Sequence, residues 1–140
     1  FLGDKKISYC TGCGACGRTH RCVLQDDMVE ILEKMVRADA IVLATPVYFY
    51  SMDAQLKTLI DRTVPRYTQI SGKDFYFILT AADGSRAMLK RTVEALRGFT
   101  EDCLDGANER GILYATGVWA AGDVRSTPFM REAHEMGRSV

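Results

Sequence analysis

Ala40-Ile41-Val42-Leu43-Ala44-Thr45, closed by Pro46, is the stretch from which the rest of the chain can be read. It carries no charge and shows no polar alternation, so it reads as a strand buried on both faces, with Pro46 holding its neighbour extended. Phe75-Tyr76-Phe77-Ile78-Leu79-Thr80 and Ile112-Leu113-Tyr114-Ala115-Thr116-Gly117-Val118 read the same way. A shorter candidate, Lys6-Ile7-Ser8-Tyr9, stops at Cys10. Between these runs the apolar spacing becomes helical. Met28, Ile31, Leu32, Met35 and Val36 form one stripe behind Asp26 and Asp27, with Glu30 placed as in a capping box. Leu56, Leu59, Ile60 and Val64 form a second stripe, stopped by Pro65. Met88, Leu89, Val93, Leu96, Phe99 and Cys103 form a longer one, with an interruption expected near Gly98. The closing helix has Thr127 as its N-cap and Pro128 at its first position.

Strand and helix therefore alternate four times, which implies an α/β fold, a parallel sheet covered by helices on both faces. In such sheets ligands bind beyond the carboxyl ends of the strands. The loops there are residues 10–26, 45–53, 80–86 and 117–127. A chain of 140 residues fits one domain, residues 1–140. Its composition, 47% hydrophobic and 26% charged, excludes a disordered chain. Lys and Arg number 18 and Asp and Glu 18, a zero balance that argues against a nucleic-acid surface. No apolar run is long enough to span a membrane. The chain opens without Met and without the regions of a signal peptide, so it is expected to be less than the whole translated protein.

Cysteine is the most informative residue type. Four of the five fall in one C-x2-C-x2-C-x5-C run, Cys10, Cys13, Cys16 and Cys22, with Cys103 far downstream. Secreted scaffolds spread paired cysteines over their loops, so the tight run points to reduced thiols or a metal centre in the cytoplasm. Gly12, Gly14 and Gly17 would let a short backbone wrap so that several thiolates converge. The residues leave three states open: an iron–sulfur cluster, a structural zinc, or thiols without metal.

The second loop is unusual in placing Tyr48, Phe49 and Tyr50 in a row after Pro46 and Val47, with Ser51 and Met52 following. Such a segment offers apolar walls and backbone donors to a flat heteroaromatic ligand; equally, its rings could pack under the next helix or at a subunit contact. Thr80, Ala81, Ala82, Asp83 and Gly84 are small enough for close backbone approach, or for an ordinary turn capped by Asp83 or Ser85. His20 and His134 read as solvated, and no nucleophile elbow accompanies them. Cys103 reads as a small core side chain. Lys57, Asp61 and Arg62 read as a solvated i,i+4 pattern.

Taken together, Cys10-Thr11-Gly12-Cys13-Gly14-Ala15-Cys16, Cys22, Asp26-Asp27-Met28, Ala44-Thr45-Pro46-Val47-Tyr48-Phe49, Gln55-Leu56-Lys57 and Ile60-Asp61-Arg62 resemble the NADPH-dependent FMN reductase and iron–sulfur flavoprotein family. The resemblance is dense from about Tyr9 to Arg62. It implies a flavodoxin-like three-layer α/β/α fold, with four strands here and the family's first strand, phosphate loop and helix lacking. It further implies FMN as cofactor, NAD(P)H as hydride source, and a small-molecule electron acceptor or redox partner protein. By the same resemblance no side chain of the protein would be needed as acid or base, since the flavin would carry the chemistry. Residues Pro46, Val47, Tyr48, Phe49, Tyr50 and Ser51 would line the flavin ring, and Thr80, Ala81, Ala82, Asp83 and Gly84 would approach it. Cys10, Cys13, Cys16 and Cys22 match the spacing that ligates a [4Fe–4S] cluster in the iron–sulfur flavoproteins. The resemblance also implies a homo-oligomer with flavin sites near subunit contacts.

Overall fold

The structure, a computed structural model, describes residues 1–140. Its elements in chain order are α1 (Cys16–Thr19), α2 (Met28–Arg37), β1 (Ala40–Tyr48), β2 (Ser51–Met52), α3 (Ala54–Asp61), β3 (Asp74–Ala81), α4 (Lys90–Cys103), β4 (Asn108–Thr116) and α5 (Phe129–Gly137). The sheet order is β2-β1-β3-β4. Strands β1, β3 and β4 run parallel, in register from Ala40↔Asp74 to Pro46↔Thr80, and from Asp74↔Asn108 to Ala81↔Thr116 with a one-residue shift at Arg110, between Phe75↔Glu109 and Tyr76↔Gly111. Strand β2 is a two-residue antiparallel return beside the end of β1.

Alternation along the strands divides the sheet into two faces. Ile41 and Leu43 of β1 and Phe75, Phe77 and Leu79 of β3 meet Met28, Leu32 and Met35 of α2, Leu56 and Leu59 of α3, and Val93, Leu96 and Phe99 of α4 in one core. On the opposite face Tyr76, Leu113 and Ala115 are buried where α5 lies across β4. Gly111 permits that approach, since a Cβ there would stand 3.3 Å from the Met136 sulfur. Arg97 links α4 to β4 through two bonds to Glu109, Nε–Oε2 at 2.8 Å and Nη2–Oε1 at 2.9 Å. Helices thus lie on both faces, as the βα order predicts, with α5 covering the β4 side of the second face.

Several expectations are corrected. Lys6–Tyr9 is not a strand: no strand of this chain lies alongside it, and its backbone donors turn to side chains instead. Lys6 N–H bonds Asp27 Oδ2 at 2.8 Å and Ser8 N–H bonds Asp26 Oδ2 at 3.0 Å. The fourth strand of the sheet is instead the short return β2. Nor is β1 buried on both faces, for Val42 is 52% exposed. Its outer face and free edge open onto a groove of about 580 Å³ shared with Phe1, Leu2, Ile78 and Thr80. The helix at Met28 is capped by Asp26, whose Oδ1 accepts the Met28 N–H at 3.1 Å, while Asp27 makes no cap bond. Helix α4 runs through Gly98 unbroken, because Leu96 and Phe99 on either side are buried. Val64 lies outside α3 and is exposed. Cys103, at the last turn of α4, is exposed rather than packed in the core.

Candidate functional site

Two clusters of unusual residues stand at opposite ends of α3. The first is the β1–β2 hairpin before its amino end. The expected aromatic loop is in fact a continuation of the strand: β1 runs through Pro46 to Tyr48, then doubles back with Val47↔Met52 and Tyr48↔Ser51 paired. The turn between them is Phe49-Tyr50, with φ of 49° and 64°. Two left-handed residues in a two-residue hairpin favour Asn-Gly, and each side chain there costs about 1–2 kcal/mol. The strain persists because both stems are held. Thr45, buried, accepts the Asp53 N–H at 3.0 Å and donates to the Pro46 carbonyl at 2.7 Å. Met52 is buried, and Asp53 caps α3 by accepting the Leu56 N–H at 2.8 Å. Arg91 of α4 lies over the Tyr50 ring, 5.7 Å from its centroid. The rings themselves face solvent, Phe49 being fully exposed and Tyr48 62% exposed.

The second expected segment leaves the sheet beside the hairpin, because Thr80 pairs in register with Pro46. Thr80 and Pro46 line the same groove, whereas Ala81 is buried and Ala82, Asp83 and Gly84 are exposed. This turn is tied to the one after β4: Gly117 N–H bonds the Asp83 carbonyl at 3.0 Å and Val118 N–H the Ala81 carbonyl at 2.9 Å. Asp83 Oδ1 accepts the Ser85 N–H at 2.7 Å, so its carboxylate shapes the turn. Trp119, 87% exposed, stands on the adjoining loop, where Asp123 Oδ2 accepts its N–H and that of Ala120. The exposed rings of Tyr48, Phe49 and Tyr50 present apolar surface that a flat ring could stack on. A phosphate does not fit the amino end of α3, which Asp53 already caps.

The second cluster lies past the carboxyl end of α3. Cys10, Cys13, Cys16 and Cys22 all line one cavity of about 270 Å³, walled by Val23, Leu24, Val64 and Pro65. Gly12 and Gly14 turn the backbone around it with φ of 67° and 72°, conformations that side chains disfavour. The single turn α1 begins at Cys16 and closes with His20 donating its N–H to the Cys16 carbonyl at 2.9 Å. No three of the chain's Cys, His, Asp or Glu side chains converge tightly enough to hold a single metal ion. Four thiols spaced around a mostly apolar cavity fit a group with several metal corners, each taking one thiolate.

Arg62 is the residue the local sequence pattern hides. Lys57 and Asp61 do pair at 2.6 Å on the surface, but Arg62 is 2% exposed. Its Nη1 donates to the Ser8 carbonyl at 2.6 Å and to Asp26 Oδ2 at 2.8 Å, and its Nη2 to Asp26 Oδ1 at 2.9 Å. The Arg62 guanidinium, aided by the Ser8 and Met28 amides, holds the Asp26 carboxyl below its usual range against the opposing effect of burial. Asp26 in turn raises the Arg62 pKa, and the nearby Cys22 sulfur adds to the effect. The one sequence signal is an Arg beside an otherwise self-sufficient Lys–Asp pair; its distant partners leave no local trace.

With the geometry in view, comparison with known proteins is informative. Residues 2–114 match the family described as NADPH-dependent FMN reductase. An iron-sulfur flavoprotein of Archaeoglobus fulgidus is 48% identical over 64 residues, 46% of this chain and 29% of that protein. One from Methanosarcina thermophila is likewise 48% identical over 64 residues, covering 46% of this chain and 34% of its own length. The matched stretch thus spans about a third of these relatives. Among solved structures, a flavone reductase superposes with a TM-score of 0.68 at 20% identity, covering 99% of this chain and 49% of that one. The Trp repressor binding protein of Bacillus subtilis gives 0.61 at 20% identity, over 83% and 70%. At that identity the two structures speak to fold alone, and the fold is flavodoxin-like. No helix is long and apolar enough to cross a membrane. Fold, hairpin and cysteine run agree with the family match over most of the chain: it belongs to the NADPH-dependent FMN reductase family.

Proposed function

We propose that the protein is a flavin-dependent oxidoreductase of the iron–sulfur flavoprotein kind, within the single domain of residues 1–140. When bound, FMN would accept hydride from NAD(P)H, and a [4Fe–4S] cluster would pass single electrons toward a small acceptor or a partner protein. The observation that carries the reading is that all four clustered cysteines line one cavity. Cys10, Cys13, Cys16 and Cys22 would hold the cluster, and the apolar wall would shield it from water. Tyr48, Phe49 and Tyr50 would bound the flavin ring, with Pro46, Val47 and Ser51 setting their placement. Thr80, Ala81, Ala82, Asp83 and Gly84 would close the other side. The exposure of Phe49 and Trp119 favours a second subunit covering this corner, and hence a homo-oligomer.

The test is the absorption spectrum and metal content of full-length protein purified without oxygen. About four irons and four acid-labile sulfides per chain, with a flavin spectrum beneath a broad visible band, are expected. Neither iron nor sulfide in such protein would leave plain thiols, and about one zinc per chain would make the site structural. For the ring site, Tyr48→Ala with Phe49→Ala should weaken FMN binding by about 1–3 kcal/mol. Unchanged affinity in a folded variant removes the hairpin from the flavin site.

A further inference from the structure

We propose that Arg62 is the positioning residue of the cysteine loop: it ties the two stems of the loop together and keeps one N–H in reserve for the Cys22 sulfur. The inference rests on the cluster reading above. The loop leaves an extended segment at Ser8 and rejoins the fold at Asp26, with the four cysteines between them. No sheet ladder joins those stems. Lys6 and Asp27 bond each other directly, Lys6 N–H to Asp27 Oδ2 at 2.8 Å and Asp27 N–H to the Lys6 carbonyl at 3.1 Å. One step further in, the stems meet on one guanidinium, whose Nη groups hold the Ser8 carbonyl and both oxygens of Asp26. The Ser8 N–H completes the closure by bonding Asp26 Oδ2.

What remains is Nε. It is buried and has no hydrogen-bond partner, although the Arg62 side chain is only 1% exposed. Buried donors are rarely left unpaired in folded proteins, and a planar guanidinium cannot rotate one donor away without breaking the others. Arg62 and all four cysteines line the same cavity, and of the four only Cys22 also lines, with Arg62, the adjoining cavity bounded by Met28 and Leu32. A thiolate accepts hydrogen bonds, and one that ligates iron keeps a lone pair for a donor. Such a bond stabilises the extra negative charge of a reduced cluster, which raises the share of reduced form at a given potential.

Arg62→Lys and Arg62→Gln separate the two roles. Lysine keeps a cation for Asp26 but has no second donor in a fixed plane; glutamine loses the charge. The full-length proteins, purified without oxygen, are compared in iron and sulfide content and in the fraction of reduced cluster at a fixed potential, read by electron paramagnetic resonance. The iron-free forms are compared in the rate of tryptic nicking after Arg18 and Arg21, which lie inside the loop. Arg62→Lys should load its cluster yet show several-fold less reduced form. Arg62→Gln should be nicked several-fold faster and retain less iron. Variants that load, reduce and resist trypsin like the unsubstituted protein overturn the role of Arg62 while leaving the cluster reading intact. Unsubstituted protein that takes up neither iron nor sulfide overturns the cluster reading itself, and the donor role with it.

Discussion

The aromatic hairpin and the cysteine loop flank the same short helix but are stabilised in opposite ways. The hairpin is backbone-made: a two-pair ladder, a capped helix start and a buried Thr45 force Phe49 and Tyr50 into left-handed geometry, and the rings are left in solvent. The cysteine loop is side-chain-made: a buried arginine and two aspartates stand where a ladder would be, and the left-handed backbone falls on Gly12 and Gly14, which tolerate it, with His20 the one side-chain-bearing exception. The first region stores strain in residues that would touch a ligand. The second spends its binding groups on closing a loop so that thiols can line a cavity. A site that presents rings needs a stiff frame; a site that presents thiolates needs its two ends brought together.

The contrast can be broken most forcefully at Arg62. Removing one member of a buried, bidentate ion pair costs about 3–5 kcal/mol, so Arg62→Ala should lower the denaturant midpoint more than any change in the hairpin. Leaving Asp26 buried without its cation accounts for much of that loss. A midpoint shift within the range of surface substitutions would show the loop closed by other contacts.

Acid probes the same link from the other side. Because Arg62 lowers the folded-state pKa of Asp26 below its unfolded value, the pair's contribution is present above the ordinary carboxylate range. It fades as pH falls through the depressed value. Stability should therefore drop on acidification below about pH 4, and that part of the drop should vanish in Arg62→Gln. Equal acid slopes in the two proteins would contradict the assignment.

In the hairpin the expected change has the opposite sign. Phe49→Asn with Tyr50→Gly relieves two left-handed side chains and should stabilise the fold by about 1–2 kcal/mol, measured by chemical denaturation. The same variant should lose affinity for FMN, because the wall goes with the strain. Stability gained without loss of flavin would separate strain from function. The smallest effect belongs to Cys103→Ser. The thiol is exposed and bonds only the Gly98 carbonyl at 3.1 Å, so stability should stay within about 0.5 kcal/mol. Iron content should not change.

Much of the fold was legible in the residues because its signals are local. The run at Ala40 and that at Phe75 are strands, and the stripes at Met28, Leu56 and Val93 are helices, with ends displaced by a few residues. What escaped depends on neighbours. Lys6–Tyr9 has strand-like content, but a strand is defined by a ladder, and here its donors meet carboxylates. Phe49-Tyr50 lacks the Asn-Gly signature of a tight hairpin, so the turn reads as a loop. Arg62 sits beside a Lys57–Asp61 pair that explains its surroundings locally, while Ser8, which it binds, is 54 residues away. Of the candidate residues, Cys10, Cys13, Cys16 and Cys22 do line one cavity, and Tyr48, Phe49 and Tyr50 share one hairpin. Read from the sequence, the cysteine site lies beside the flavin loops, on the carboxyl edge of a strand ending at Cys10; with no strand there, the two sites are instead separated by the length of α3, about 12 Å at 1.5 Å per residue.

The side-chain closure of the cysteine loop also bears on how the molecule opens. The ladders of the sheet exchange their amide hydrogens only when the core comes apart, whereas a segment held by a few carboxylate bonds can detach alone. Lys6 and Ser8, whose amides rest on Asp27 and Asp26, should therefore exchange in step with each other and well ahead of Phe77 or Leu79. Cys10 and Cys13 are exposed already, and the half-buried Cys16 and Cys22 would then be reached through a small, reversible detachment of residues 6–26, with the sheet intact throughout. An inserted cluster would close that door behind it, and protection of those two amides would rise as iron is taken up.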